Sequence, residues 1–128
     1  MTVAFWCVLI AIFLPYLCTG VAKFSQGKFG PRQNHDPRAF LDSLDGFAKR
    51  AHSAQLNGFE VTPAFAAAVI IAHLAGTAEL VTINVLAVLF VTSRLLYIIC
   101  YLADWAILRS LVWAVGMALI ASFFFVSI

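Results

Sequence analysis

Charge is what this sequence has least of. Of 128 residues, 8 are Lys or Arg and 6 are Asp or Glu, against 63% hydrophobic residues and a mean hydropathy of +0.98. A soluble domain carries about 25% charged residues, so the 11% here excludes a water-soluble globular fold. The net charge of +2 is too small to attract a polynucleotide, so no nucleic-acid partner is expected. Cysteine is scarce too. Cys7, Cys18 and Cys100 are odd in number, lie inside apolar stretches and lack metal-ligand spacing. They read as free buried thiols, with neither a disulfide framework nor a metal site. The alternation of apolar and polar residues that marks a membrane barrel is also missing. No positive charge precedes the apolar stretch from Met1 to Ala22, while Lys23 and Lys28 follow it. That is the reverse of the charge order in a cleavable secretory signal, so the stretch reads as a retained helix.

What is present is apolar length. Four segments, near residues 3–23, 61–78, 80–103 and 106–127, each approach the roughly 20 residues that a bilayer about 30 Å thick demands. Helices are the only open-ended way to satisfy backbone hydrogen bonds in lipid. The second helix is expected to begin near residue 43, because Asp42, Ser43 and Asp45 are good N-terminal residues and no proline follows before Glu60. Pro15 and Pro63 are expected to bend their helices. Between the first two helices, Gly27, Gly30, Pro31, Asn34, Asp36 and Pro37 mark a loop. The fold class is therefore an all-α membrane protein, a four-transmembrane-helix up-and-down bundle in one domain over residues 1–128, with helices at about 3–23, 43–78, 80–103 and 106–127.

Orientation follows from the placement of the cations. Every Lys and Arg lies either between Lys23 and Arg50 or between Arg94 and Arg109. The positive-inside rule puts both connections in the cytoplasm and both termini outside, in the inner (plasma) membrane. Trp6 and Trp105 suit the two aromatic belts. Ala68, Ala72 and Gly76 form a small-residue seam at four-residue spacing, suited to close packing between helices of an oligomer.

Ionisable groups in a span are expensive and should face protein or a wet cavity. On the second helix Arg50, Ser53, Asn57 and Glu60 share one face within roughly 80 degrees, while His52 and Gln55 point away. On the third, Arg94, Tyr97 and Tyr101 form another stripe, and Arg109, Ser110 and Trp113 open the fourth. The three groups are expected at one depth, forming a cation-rich pocket for a small anionic ligand. The plainer reading makes Glu60 and Arg94 a structural ion pair, Asn57 an interhelical hydrogen-bonding residue and the tyrosines interface anchors. His73 and Asn84 read as satisfied interface residues, and Glu79 as a turn residue.

The run AKRAHSAQLNGFEVTPAF (Ala48 to Phe65) resembles the second-helix signature of the MAPEG family, membrane-associated proteins in eicosanoid and glutathione metabolism. SRLLYIICYL (Ser93 to Leu102) and RSLVW (Arg109 to Trp113) resemble its third-helix stripe and the opening of its fourth helix. The resemblance covers essentially the whole chain. It implies a homotrimer that binds glutathione as co-substrate between subunits and conjugates or reduces lipophilic small molecules. Asn57 and Glu60 match the family's Asn-x-x-Glu, Arg94, Tyr97 and Tyr101 its third-helix contacts, and Arg109 the arginine proposed to stabilise the thiolate. Ser110 is expected to donate a second hydrogen bond, Glu60 to take the ligand's ammonium, and Arg50 and Arg94 its carboxylates. Trp113 stands where the family usually has a tyrosine.

Two positions depart further from that pattern. Ser53 replaces an arginine, and Leu56 replaces a basic residue found in some members. They motivate the alternative expectation: a non-catalytic trimer of the same fold that binds lipid or serves as an accessory subunit of a membrane complex. A proton-coupled exporter is disfavoured because the first helix carries no acid.

Overall fold

The computed structural model describes residues 1–128, and five α-helices account for most of them. Four are long and apolar enough to cross a membrane: α1 (Val3–Phe24), α3 (Gly46–Ala75), α4 (Leu80–Leu102) and α5 (Ala106–Phe125). Between α1 and α3 lie a 3-10 turn (Gln33–His35) and the short α2 (Pro37–Asp42). The chain is a multi-pass membrane protein. α3 packs chiefly on α1, α5 chiefly on α4, and α4 lies against both α1 and α3. α5 buries only Gly116 and Phe123 within the chain. In lipid such apolar exposure carries no penalty, because the surrounding tails are as apolar as the side chains.

The core is aromatic at its centre. Phe65 and Phe90 stack at 4.0 Å between centroids, and Phe123 meets Phe65 edge-on at 6.0 Å. At the end remote from the cations, polar groups tie the start of α1 to its neighbours. The Ala4 N–H, which an α-helix leaves unpaired at its N-terminus, donates to Asn84 Oδ1 at 3.0 Å. His73 stacks on Phe5 at 4.2 Å, lies 2.8 Å from the Val69 carbonyl and places Nε2 3.0 Å from the Thr2 hydroxyl.

Both prolines lie inside unbroken helices. Pro15 has no N–H to give the Ala11 carbonyl. The Thr62 hydroxyl lies 3.2 Å from that carbonyl and 2.7 Å from the Gly58 carbonyl, so α3 supplies a donor that α1 lacks. One turn away, Gly58 lets the helices touch: a Cβ there would stand 2.7 Å from Pro15 Cγ.

Three expectations need correction. α3 starts at Gly46, not near residue 43. Gly46 has φ +58 and Asp45 is extended, so the helical path breaks there and Pro37–Asp42 becomes a separate helix, capped by Asp36 Oδ1 on the Ala39 N–H at 3.2 Å. At its other end α3 stops at Ala75 rather than residue 78, because Gly76 adopts the left-handed conformation at φ +69 that terminates helices. The small-residue seam is not free for another chain. Ala68 and Ala72 are 1% exposed within this chain's own core, and Gly76 is the cap.

Candidate functional site

At the basic end of the bundle, α3, α4 and α5 enclose a cleft of about 230 Å³ lined by Asn57, Tyr97, Tyr101, Arg109, Ser110 and Trp113. Helical periodicity explains the convergence. Tyr97 and Tyr101 are one turn apart on one face of α4, and Arg109, Ser110 and Trp113 occupy the first two turns of α5. The connection between those helices is short, with Asp104 at φ +61, so the start of α5 folds back directly beside the end of α4.

Two cations bracket a pair of tyrosine rings beside the cleft. Arg94 lies over the Tyr97 ring at 4.2 Å, Tyr97 meets Tyr101 edge-on at 5.7 Å, and Arg109 lies over Tyr101 at 4.4 Å. These contacts do not fall at one depth. Arg94 and Tyr101 are seven residues apart on α4, about 10 Å along the axis at 1.5 Å per residue. The polar groups therefore form a ladder rather than a ring, with Arg109 on the rung of Tyr101.

Hydrogen-bond partners decide which donors and acceptors the lining leaves free. Arg94, 5% exposed, donates through Nη2 to Asn57 Oδ1 at 2.7 Å. Arginine has only donors, so the Asn57 oxygen must face Arg94 and its amide N–H groups remain for the cleft. Arg94 Nη1 is buried with no partner, the single such side-chain atom in the chain. The guanidinium of Arg109 makes no hydrogen bond or ion pair within the chain, and no carboxylate lines the cleft. Ser110 is different: its hydroxyl donates to the Ala106 carbonyl at 3.1 Å, which leaves its oxygen as an acceptor. Its expected donor role is therefore not the one it plays here. A lining with a free cation and amide donors but no acid attracts an anion.

Two other expected residues, Arg50 and Glu60, sit elsewhere. Arg50 Nε donates to the Leu102 carbonyl at 3.2 Å, where it caps the end of α4 outside the cleft lining. Glu60 is exposed on α3 and forms no ion pair, so the Glu60–Arg94 pairing is absent, Asn57 having taken the Arg94 donor. Trp113 does line the cleft, though 42% exposed.

A second polar groove of about 330 Å³ lies on another side of α3, against α2. Its lining includes Arg38, Asp42, His52 and Gln55. His52 Nε2 is 3.4 Å from Asp42 Oδ1, the only salt-bridge contact in the chain, and Nδ1 is 3.1 Å from Gln55 Oε1. The periodicity that turned His52 and Gln55 away from Asn57 was visible in the sequence. Their partner was not, because Asp42 reads as a residue that opens α3, whereas it ends the separate helix α2.

A family model, that of the MAPEG family, matches the sequence over residues 3–128. No curated protein and no solved structure gives a significant match.

Proposed function

The chain belongs to the MAPEG family, and on that premise we propose that it is a glutathione-dependent membrane transferase or peroxidase acting on lipophilic electrophiles, in a homotrimer. The observation that carries the reading is a cationic, acid-free lining: Asn57 amide hydrogens and a free Arg109 guanidinium in the wall, backed by the buried Arg94 with its orphaned Nη1. Such a wall suits a co-substrate that brings carboxylates and a thiolate.

A thiol with a pKa near 8.5 is mostly protonated at neutral pH and is a poor nucleophile in that form. Arg109, in the lining of the cleft, favours the anion by charge and by hydrogen bonding. The thiolate then attacks an apolar electrophile arriving from the bilayer: a sulfur–carbon bond forms, and the leaving group departs with the bonding pair. Asn57 orients the tripeptide. The acceptor oxygen of Ser110 offers a place for a donor group of the ligand.

Two features support completion of the site by a second chain. The cleft, at about 230 Å³, is smaller than the roughly 300–1,000 Å³ of ordinary ligand pockets. Glu60 is an exposed, unpaired acid in a membrane span, an expensive placement unless a neighbour covers it. Covered so, it becomes the acceptor for the ligand's ammonium group.

The experiment is direct. Purified protein in detergent should bind glutathione in calorimetry and conjugate a model aryl halide. No binding at millimolar glutathione ends the catalytic reading. One observation favours the alternative, a non-catalytic member that holds lipid or a partner subunit. Ser53 offers no cation, and Arg50, the residue able to replace it, is committed to the Leu102 carbonyl. An ordered lipid in the cleft of the purified protein, with no glutathione bound, would favour that alternative.

A further inference from the structure

The ring of Tyr101 faces Arg109 while its hydroxyl makes no hydrogen bond within the chain, and those two ends imply different roles. A direct ligand contact would use the hydroxyl. A support for Arg109 would use the ring face.

Arg109 needs such a support. It sits at the start of α5, where the helix dipole presents positive charge and a cation is disfavoured. No acid neutralises it: the one salt-bridge contact in the chain is between Asp42 and His52. No side-chain cap closes the helix start either. What the guanidinium does meet is the π face of Tyr101, 4.4 Å from the ring centroid. That face is electron-rich and attracts a cation without consuming its N–H donors. The ring is in turn held by the edge contact with Tyr97, which is 5% exposed and carries Arg94 on its own face.

We propose that Tyr101 is a positioning residue whose ring face, braced by Tyr97, holds the Arg109 guanidinium at the cleft with its donors free. The role rests on the anion-binding reading of the cleft, and it deepens that reading by separating ring from hydroxyl. A carboxylate in the same place would neutralise Arg109 and occupy its donors. An aliphatic residue would leave it free to swing toward water, since a long side chain at a membrane edge snorkels.

The test uses the full-length protein in detergent with Tyr101→Phe, Tyr101→Leu and a series of progressively fluorinated phenylalanines at position 101. Fluorination weakens the π face while almost preserving shape, so it remains informative if the leucine variant fails to fold. Two readouts are taken: labelling of Arg109 by phenylglyoxal, mapped by peptide mass spectrometry, and the pH profile of aryl halide conjugation.

Tyr101→Leu is expected to raise Arg109 labelling several-fold, to lower conjugation at neutral pH about tenfold, and to move the profile toward higher pH by about one unit, as for loss of a partly desolvated cation–π contact. Tyr101→Phe should keep Arg109 protected and recover most of the activity that leucine loses. Labelling should climb with each added fluorine. Equal losses in the phenylalanine and leucine variants would assign the role to the hydroxyl and overturn the proposal, as would labelling indifferent to fluorination. Should the parent protein fail to conjugate at all, the glutathione reading falls while the labelling still decides what the ring does.

Discussion

The two polar recesses that flank α3 at the basic end differ in how their charges are settled. In the groove against α2, an acid, an imidazole and an amide satisfy one another in the series Asp42, His52, Gln55. In the cleft against α4 and α5, Arg94 has one partner and an orphaned nitrogen, and Arg109 has only a ring. In the first recess the one charge without a partner, Arg38, is exposed to water. The second is left with unmet donors, and buried unmet donors cost stability unless something outside the chain uses them. The contrast teaches that the polar face proposed to bind a ligand is the one the chain does not finish by itself.

Breaking the unfinished side should have the largest effect. Arg109→Ala is expected to lower kcat for aryl halide conjugation by about 100- to 1,000-fold, the range for loss of one preorganised charge stabiliser. Glutathione affinity in calorimetry should fall far less. Equal losses in both would make Arg109 a simple binding group.

Next comes the pairing behind the cleft. Asn57→Ala strands both terminal nitrogens of the buried Arg94 and should cost about 1.5–3 kcal/mol in reversible unfolding in detergent, the range for a lost hydrogen bond to a charged group. Adding Arg94→Met, which removes the stranded charge, should recover much of that stability without restoring glutathione binding. A double variant no more stable than the single one would show that the guanidinium is not the source of the cost.

Gly58 bears on both recesses at once, because it sets how closely α3 approaches α1. Gly58→Ala forces a methyl to within 2.7 Å of Pro15 Cγ, and both groups are rigid. Overpacking of this kind costs about 1–3 kcal/mol. Gly116→Ala is the control, since its added Cβ would meet nothing nearer than Ser93 Oγ at 3.5 Å and should change thermal stability little. Equal effects from the two would mean that the α1–α3 approach is not tight.

Much of this was legible in the sequence where a single periodicity governs. Four apolar runs became four spans, and Asn57, Tyr97, Tyr101, Arg109, Ser110 and Trp113 met because each lies on a face that helical spacing predicts. What the spacing could not convey was competition among partners. Arg94 had both Asn57 and Glu60 within one turn of α3 to choose from, and only packing decides between i and i+3. Register along the axis was lost for a related reason: residues on one stripe share a face but not a depth, so a ladder and a ring look alike. The break at Gly46 depends on a positive φ that a helical pattern of apolar residues does not encode. The seam at Ala68 and Ala72 fitted an oligomer and the chain's own core equally well by composition.

The smallest expected effect lies on the finished side. Asp42 is 78% exposed in its side chain and its contact with His52 spans 3.4 Å, so the pair is screened by water and contributes at most about 0.2–1 kcal/mol. Asp42→Asn should leave glutathione binding and conjugation as they are and change unfolding by less than Asn57→Ala does. It should also make α2 easier to cleave by protease, because Leu41 then carries more of the anchoring of that short helix to α3. An Asp42→Asn variant that lost conjugation while remaining folded would mean that the groove participates in the reaction, and the distinction between a finished and an unfinished recess would fail. If instead only protease sensitivity rises, the charges against α2 serve to hold a strap in place, and the chemistry belongs to the other side of α3.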